Sequence, residues 1–192
     1  MKKTQNYPLI LGVCLILAAL LILLGSQIQA RSAAQDARAI YDRVDALLPP
    51  RSPGIPGLFA DPAMPVLELD GTDLCGILEI PAYGARLPIA NTWRSGDTRK
   101  YPCRFLGSVY DNTLVIGGSD QIGQLDFCDR MEIGDRISIT DMMGMEFSFT
   151  LTRVGRSSSA DIGWLTAPDA DLTIFVRDAT SLHYIALRCD LD

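Results

Sequence analysis

The alternation of apolar and polar residues divides the chain into three parts. Residues 8–25, PLILGVCLILAALLILLG, contain no charged side chain. In residues 26–48, apolar side chains recur three and four positions apart, which is the spacing of one helical face. From Val66 onward, short runs alternate between apolar and polar positions, as half-buried β-strands do. The pattern therefore predicts an apolar helix, an amphipathic helix and an all-β domain.

The all-β part is predicted to contain about seven or eight short strands. A bend at Tyr83-Gly84 separates the first two, and Met142-Met143-Gly144 joins two later strands as a hairpin. So many strands in about 125 residues favour a closed barrel or a sandwich over a parallel α/β sheet. The strands are predicted at residues 74–81, 85–90, 112–118, 135–141, 145–155, 171–178 and 181–190.

Prolines separate the amphipathic helix from the all-β part. Pro49 and Pro50 stop the helix, because proline lacks the amide hydrogen that a helix needs. Residues 51–65, RSPGIPGLFADPAMP, add further prolines and are typical of an extended linker. We therefore divide the chain into an apolar anchor at residues 1–25, a helix and linker at residues 26–65, and a barrel domain at residues 66–192.

The apolar segment has the length of a short membrane span. About 17 apolar residues reach the lower limit for crossing a bilayer. Lys2 and Lys3 precede the segment and favour a cytoplasmic N-terminus. This pattern predicts a single-pass protein of the plasma membrane with its C-terminal domain outside the cell. A cleaved signal peptide is the alternative, because residues 27–33 contain small side chains.

Charge and cysteine content narrow the classes of function. The net charge is −6, and the sequence contains no basic patch of the kind that binds nucleic acid. Nucleic acid is therefore not expected as a partner. The single histidine, His183, and the absence of a CxxC pair argue against a zinc site, and no cofactor is predicted. Four cysteines lie outside the apolar segment: Cys75, Cys103, Cys128 and Cys189. They allow three disulfide pairings, and the sequence does not choose among these pairings.

The stretch TLVIGGSDQIG, residues 113–123, presents polar side chains where a strand ends. Val115 and Ile116 suit a buried strand, and the two glycines that follow allow a sharp turn. Ser119 and Asp120 are then exposed at the rim of the sheet, where functional groups are often placed. Their simplest interpretation is a turn or helix cap, because a carboxylate alone is a poor activator of a serine hydroxyl.

Five segments occur in a distinctive order and spacing: GILEIPAYGARLPIA (76–90), YPCRFLGSVYDNTLVIGGS (101–119), IGDRISITDMMGMEFSFTL (133–151), DLTIFV (171–176) and YIALRC (184–189). Together they resemble the sortase family. Sortases are membrane-anchored cysteine transpeptidases of Gram-positive bacteria, and the pattern is most similar to their classes B and D. The resemblance implies a closed β-barrel of about eight strands with short helices, preceded by a transmembrane helix.

The resemblance also implies where a catalytic triad would lie. A sortase uses a cysteine thiolate as nucleophile, a histidine for proton transfer and an arginine that donates hydrogen bonds to the peptide or oxyanion. Only the arginine is retained, as Arg188. Ser119 stands at the histidine position and Arg177 at the cysteine position. The chain is therefore predicted to be catalytically degenerate.

No other residue is predicted to replace the lost groups. Along a regular strand, Tyr184, Ala186 and Arg188 share one face, whereas His183, Ile185 and Leu187 share the other. His183 and Cys189 should therefore point away from Arg188. The remaining cysteines are expected to act as small apolar core residues.

Two arginines are predicted to lie near one cleft. Arg177 and Arg188 are on neighbouring strands, and like charges repel unless an anion lies between them. A structural ion-pair network is one interpretation; binding of a carboxylate or phosphate from outside is the other. Trp164 is predicted to be a groove wall or a lid on the core, and residues 91–102 a polar surface loop. The acidic partners considered for the network are Asp120, Asp171 and Asp178.

These observations predict a membrane-anchored, sortase-like binding protein without catalytic activity. Its expected partners are sorting-signal or pilin-like peptides, an active sortase that it assists, and the plasma membrane. One alternative is an active cysteine transpeptidase that joins surface proteins to the cell wall. Others are a structural envelope protein and an anion-binding module that uses the arginine pair. The candidate ligand-binding residues are Arg177, Arg188, Trp164 and Asp120.

Overall fold

A computed structural model describes residues 7–59, 61–94, 98, 100–121, 123–158, 161–177 and 183–192. Within these residues the chain forms a long helix, a short helix, a 3-10 turn at Pro81–Tyr83 and ten strands. The helices are α1 (Tyr7–Leu47) and α2 (Ile162–Leu165). The strands are β1 (Ser52–Pro53), β2 (Leu67–Leu69), β3 (Thr72–Ile80), β4 (Ala85–Ala90), β5 (Cys103–Leu106), β6 (Leu114–Ser119), β7 (Arg136–Asp141), β8 (Met145–Ser157), β9 (Leu172–Arg177) and β10 (Tyr184–Leu191).

Eight of these strands close into a barrel, as predicted. The order of hydrogen-bonded neighbours is β8-β10-β9-β6-β5-β4-β3, and β7 closes the ring by pairing with both β3 and β8. Most pairs of the ring are antiparallel, whereas β4 runs parallel to β5 and β6 runs parallel to β9. The short strands β1 and β2 add to β8 and β3 outside the ring.

The barrel interior is filled by the apolar residues of the alternating pattern. On β10, Ile185, Leu187 and Cys189 face this core, whereas Ala186 belongs to a separate cluster on the other face. The predicted division of the last strand into two faces is therefore confirmed. The largest fully buried side chains include Phe147 and Phe149 of β8.

The end of α1 packs against the barrel. Ala37, Tyr41 and Val44 are buried at spacings of four and three, so they form the apolar face of the predicted amphipathic helix. Leu47, predicted for the same face, is exposed. The Tyr41 hydroxyl donates a hydrogen bond to Glu79 of β3 over 2.8 Å, which fixes the helix on the sheet.

The first half of α1 presents aliphatic side chains outward. Exposed residues there include Leu11, Leu15 and Leu21. Over the described part of the chain, no helix is long and apolar enough to cross a membrane, whereas the sequence predicts such a helix at residues 8–25.

The predicted linker follows the barrel surface rather than leaving it. Ser52 and Pro53 pair with β8, and the Gly57 amide donates a hydrogen bond to the Tyr110 carbonyl over 2.7 Å. Met64 is buried in the barrel core. The helix and linker therefore belong to the same packed unit as the barrel.

Both predicted turns are confirmed. The 3-10 turn is followed by Gly84 with φ 60°, a conformation that favours glycine. At the hairpin between β7 and β8, the buried Asp141 accepts hydrogen bonds from the amides of Met143 and Met145, each over 2.8 Å.

Candidate functional site

The candidate site lies on the outward surface of three neighbouring strands, which we call the outer face. Register places its residues in three rows across β6, β9 and β10. The rows are Val115–Thr173–Arg188, Gly117–Phe175–Ala186 and Ser119–Arg177–Tyr184.

The two positions to which the sequence resemblance assigns a catalytic pair lie side by side. Ser119 and Arg177 are direct partners at the ends of the parallel strands β6 and β9. The Ser119 hydroxyl lies 3.4 Å from Gln124 Oε1, and an uncharged amide oxygen cannot serve as a base. Arg177 is exposed, and no described residue forms an ion pair or hydrogen bond with its side chain. The row therefore presents a hydroxyl, a guanidinium and the ring of Tyr184.

The segment after Ser119 folds back under it. Leu125 donates its amide hydrogen to the Ser119 carbonyl over 3.3 Å, and residues 123–130 form successive turns. Asp120 is half-buried directly after β6. Among the described residues the turns begin at Gly123, and the Ser119 side chain contacts Gln124. The interpretation of Ser119-Asp120 as a turn or helix cap stays a prediction.

Arg188 is buried and held by the chain around α2. Its Nη2 donates a hydrogen bond to the Trp164 carbonyl over 2.6 Å, and the guanidinium lies 5.5 Å from the Trp164 ring centroid. The α2 helix begins after Asp161, whose side chain accepts a hydrogen bond from the Trp164 amide. Trp164 therefore covers Arg188 on the outer face and does not act as a lid on the barrel core.

Asp169 bridges Arg188 to a second arginine. Its Oδ1 lies 3.3 Å from Arg188 Nη1, and its Oδ2 lies 2.9 Å from Arg153 Nη1. Arg153 and Arg188 are direct partners in the β8–β10 register. This carboxylate offsets the repulsion of the two cations. An ion-pair network thus exists, but neither its acid nor its second arginine is one that the sequence suggested.

The predicted cleft between Arg177 and Arg188 needs correction. Arg177 is opposite Tyr184, and Arg188 is opposite Thr173. Four residues of strand separate these rows, which is about 13 Å. Since Arg188 is also turned toward Asp169, the two guanidinium groups do not face one another. Of the other predicted acids, Asp171 accepts a hydrogen bond from the Leu191 amide, and Asp178 lies outside the described residues.

Aromatic rings cover the middle row of the outer face. Trp93 and Phe105 each pack against Phe175, with ring centroids 5.5 Å apart in both pairs. A methyl group on Gly117 would overlap the rings of Trp93 and Phe175, so only glycine leaves room for them. The prediction that residues 91–102 form a polar surface loop missed this contact. The one available signal was a tryptophan in an otherwise polar segment.

A cavity lies beside the row that contains Arg188. Its volume is about 680 Å³, and Val115 and Thr173 of the outer face form part of its wall. Residues 166–171, the chain that carries Asp169, form another part. The outer face thus runs from an exposed cation at Arg177, past an aromatic cluster, to a cavity.

None of the cysteines offers a reactive thiolate on this face. No described cysteine is part of a disulfide, and the four cysteines in the barrel domain are buried. Burial raises the pKa of Cys75 to about 12 and also raises the pKa of Cys128 and of Cys189. Such thiols stay protonated at neutral pH and are poor nucleophiles. His183 is exposed directly before β10.

Comparison with known proteins identifies the architecture. No family model and no curated protein matches the chain. Among solved structures, sortase A from Corynebacterium diphtheriae is 17% identical, with a TM-score of 0.55 over 85% of this chain and 84% of that one. Sortase C1 from Streptococcus agalactiae is 14% identical, with a TM-score of 0.56 over 65% and 70%. The chain has the sortase fold.

A third sortase aligns over still more of the chain. Sortase C from Clostridium perfringens SM101 is 14% identical, with a TM-score of 0.53 over 88% of this chain and 90% of that one. The similar structures also include a sortase D5 transpeptidase from Clostridium perfringens. The sortase resemblance found in the sequence is therefore confirmed as a fold, and its assignment to class B or D stays a prediction.

Proposed function

We propose that this sortase-fold protein is a catalytically degenerate binding protein for sorting-signal or pilin-like peptides. The observation that carries the proposal is the pairing of Ser119 with Arg177. These two positions correspond to the histidine and cysteine of the sortase resemblance, and neither residue type can supply a thiolate or an imidazole.

The outer face has the features that recognition of an extended peptide requires. Arg177 is an exposed cation without a partner among the described residues, so a peptide carboxylate can pair with it. Trp93 is partly exposed in the next row, where it packs on Phe175, and offers an apolar surface. The cavity near Thr173 lies in the size range of about 300–1,000 Å³ that is usual for ligand sites.

The role of Arg188 in this proposal is to shape the groove. Its guanidinium is already engaged by Asp169 and the Trp164 carbonyl. A bound peptide therefore meets Trp164 and the chain at 166–171, which Arg188 positions. Both predicted residues therefore belong to the proposed site. Trp164 forms part of its surface, and Arg188 lies beneath Trp164.

Membrane anchoring is the second part of the proposal. The uncharged residues 8–25 and the exposed aliphatic side chains of Leu11, Leu15 and Leu21 support it. We propose a cytoplasmic N-terminus and an extracellular barrel, where surface peptides and an active sortase are accessible. Carbonate extraction of membranes that contain the full-length chain tests the anchor, since release into the soluble fraction contradicts it.

Peptide binding is tested by fluorescence anisotropy with labelled sorting-signal and pilin-derived peptides and the full-length chain. Binding should be saturable and should weaken about tenfold in Arg177→Gln, because a charge-assisted hydrogen bond is lost. Arg136→Gln is the matched control, since Arg136 is exposed on β7, away from the outer face.

The same samples distinguish binding from catalysis. Chromatography of the peptides after incubation should recover them intact. Cleavage would support an active transpeptidase instead, and equal affinities of Arg177→Gln and the native chain would contradict the proposed groove. Absence of saturable binding to every peptide would favour a structural envelope protein.

A further inference from the structure

A second cavity lies away from the outer face, between α1 and two segments of the barrel. Its volume is about 490 Å³, and its wall is formed by α1, the turn and strand around Tyr83–Leu87, and residues 123–130. None of its lining residues belongs to β9 or β10. The cavity therefore lies outside the proposed peptide groove, and Gln124, which contacts Ser119, connects the two.

Three arginines from three different elements line this cavity. They are Arg38 of α1, Arg86 of β4 and Arg130 of the turns at residues 123–130. Asp126 is the only carboxylate among the lining residues, so the wall carries two excess positive charges. The whole chain carries −6, which makes this local concentration of cations unusual for the molecule.

The carboxylates of the described residues neutralise these arginines only weakly. Arg86 Nε lies 3.8 Å from Glu79 Oε1, and that glutamate already pairs with Arg51. Arg130 Nε lies 3.7 Å from Asp129 Oδ1, and no described residue pairs with Arg38. Like charges held around one cavity are stabilised when an anion lies between them.

Gln124 adds a buried donor to the same wall. Its Oε1 accepts hydrogen bonds from the Ser119 amide and hydroxyl over 3.3 and 3.4 Å. Its Nε2 is buried and has no hydrogen-bond partner among the described residues. An unpaired buried amide donor is costly, and an oxygen atom of a bound ligand would satisfy it.

We propose that this cavity binds a small phosphorylated molecule. Guanidinium groups suit the tetrahedral oxygens of phosphate, and the Gln124 amide supplies an uncharged donor. The volume exceeds what a phosphate alone fills, and the stacked rings of Tyr83 and Phe127, 5.2 Å apart, supply an apolar wall for the rest of the ligand. The ligand class is thus a phosphate monoester of a small organic molecule.

Isothermal titration of the full-length chain with glycerol phosphate, inorganic phosphate and glycerol tests this site. Sodium chloride at matched ionic strength controls for nonspecific screening. We expect glycerol phosphate to bind more tightly than phosphate, and glycerol not to bind. Arg38→Gln and Arg130→Gln should each weaken binding about tenfold, because each removes one charge-assisted contact.

Arg136→Gln is the matched control, since it removes an exposed arginine of β7 that does not line the cavity and should leave phosphate binding unchanged. The proposal is overturned if glycerol phosphate does not bind at millimolar concentration, or if Arg38→Gln and Arg130→Gln keep the native affinity. The midpoint of thermal unfolding should be unchanged in Arg38→Gln and Arg130→Gln, which would show that any loss of affinity does not come from a loss of folding. Peptide binding is measured separately, so either function can fail without the other.

Discussion

Arg188 and Asp169 form an ion pair in which the arginine is the buried partner. The arginine side chain is 7% exposed, the aspartate side chain is 44% exposed, and Nη1 lies 3.3 Å from Oδ1. In the described structure, Nη1 makes no hydrogen bond, so the contact is mainly electrostatic. Arg188 of β10 thus contacts both the Trp164 carbonyl and Asp169, and these two contacts hold the segment from α2 to β9 against β10.

Asp169→Asn should destabilise the fold, because it leaves two arginines without their shared carboxylate. Since Asp169 is partly exposed, we expect a loss of about 1–2 kcal/mol in the free energy of unfolding. Urea denaturation measures it. Asp73→Asn is the control, because no described residue pairs with that exposed carboxylate. Equal losses in the two variants would mean that the network does not hold the chain around α2.

Gly117→Ala should disturb the aromatic cluster on the outer face. The added methyl group would overlap Trp93 and Phe175, and such overpacking costs about 1–3 kcal/mol. In a Trp164→Phe background, the fluorescence of Trp93 should shift to longer wavelength as the ring moves into water. Gly12→Ala is the control, because a methyl group there meets no atom within 4 Å. Unchanged fluorescence would contradict the packing of Trp93 on Gly117.

Stability should fall as the pH rises above about 9. The ordinary pKa of the Cys75 thiol is 9.0, and burial raises its pKa to about 12 in the folded chain. Between these values the unfolded chain loses the proton while the folded chain keeps it, so alkaline pH favours unfolding. Full stability from this thiol is present below pH 9 and is lost as the pH approaches 12.

Urea denaturation across this pH window measures the effect. Cys75→Ala should reduce the slope of unfolding free energy against pH by about 1.4 kcal/mol per pH unit, the value for one proton. Cys14→Ala, which removes an exposed thiol, should leave the slope unchanged. A slope that is the same in Cys75→Ala and in the native chain would show that this thiol does not stay protonated on folding.

Local patterns in the sequence were sufficient to predict most of the strands and turns of the barrel. The hairpin at Met142-Met143-Gly144 follows from turn chemistry, and the two faces of β10 follow from alternation, which depends only on neighbouring residues. The short strands β1, β2 and β5 were not predicted. They are two, three and four residues long, and their pairing with other strands, not their own sequence, defines them.

The contacts around the candidate site were harder to predict. The segment order of the sortase resemblance implies that Ser119 and Arg177 belong to one site, and the structure places them on adjacent strands. The contacts of Trp93 and Asp169 depend on where two loops lie in space, and no local pattern encodes this. The sequence predicted that Arg177 and Arg188 share a cleft, because the pattern identifies their two strands but does not determine the register between them.

The pairing of Ser119 with Arg177 leads to the most direct test of the proposed loss of catalysis. Adjacent strands lie about 4.8 Å apart, so Ser119→His and Arg177→Cys would place an imidazole beside a thiol. An imidazole at that distance can activate a thiol for attack on a peptide carbonyl. If the groove binds sorting-signal peptides, the thiol of the double variant should attack the peptide carbonyl and break the peptide bond. The imidazole gives the thiol proton to the departing amine, so the C-terminal fragment is released and mass spectrometry detects the N-terminal fragment as a thioester on the introduced cysteine.

Each single variant controls for one half of this pair. Arg177→Cys alone has a thiol without a base, and Ser119→His alone has a base without a nucleophile, so both should leave the peptide intact. Adduct formation only in the double variant would mean that the native groove still orients a peptide and lacks only the chemistry. If the double variant is unreactive but still binds peptide, the peptide lies too far from the paired strand ends for attack. If it neither reacts nor binds, the outer face has lost recognition as well.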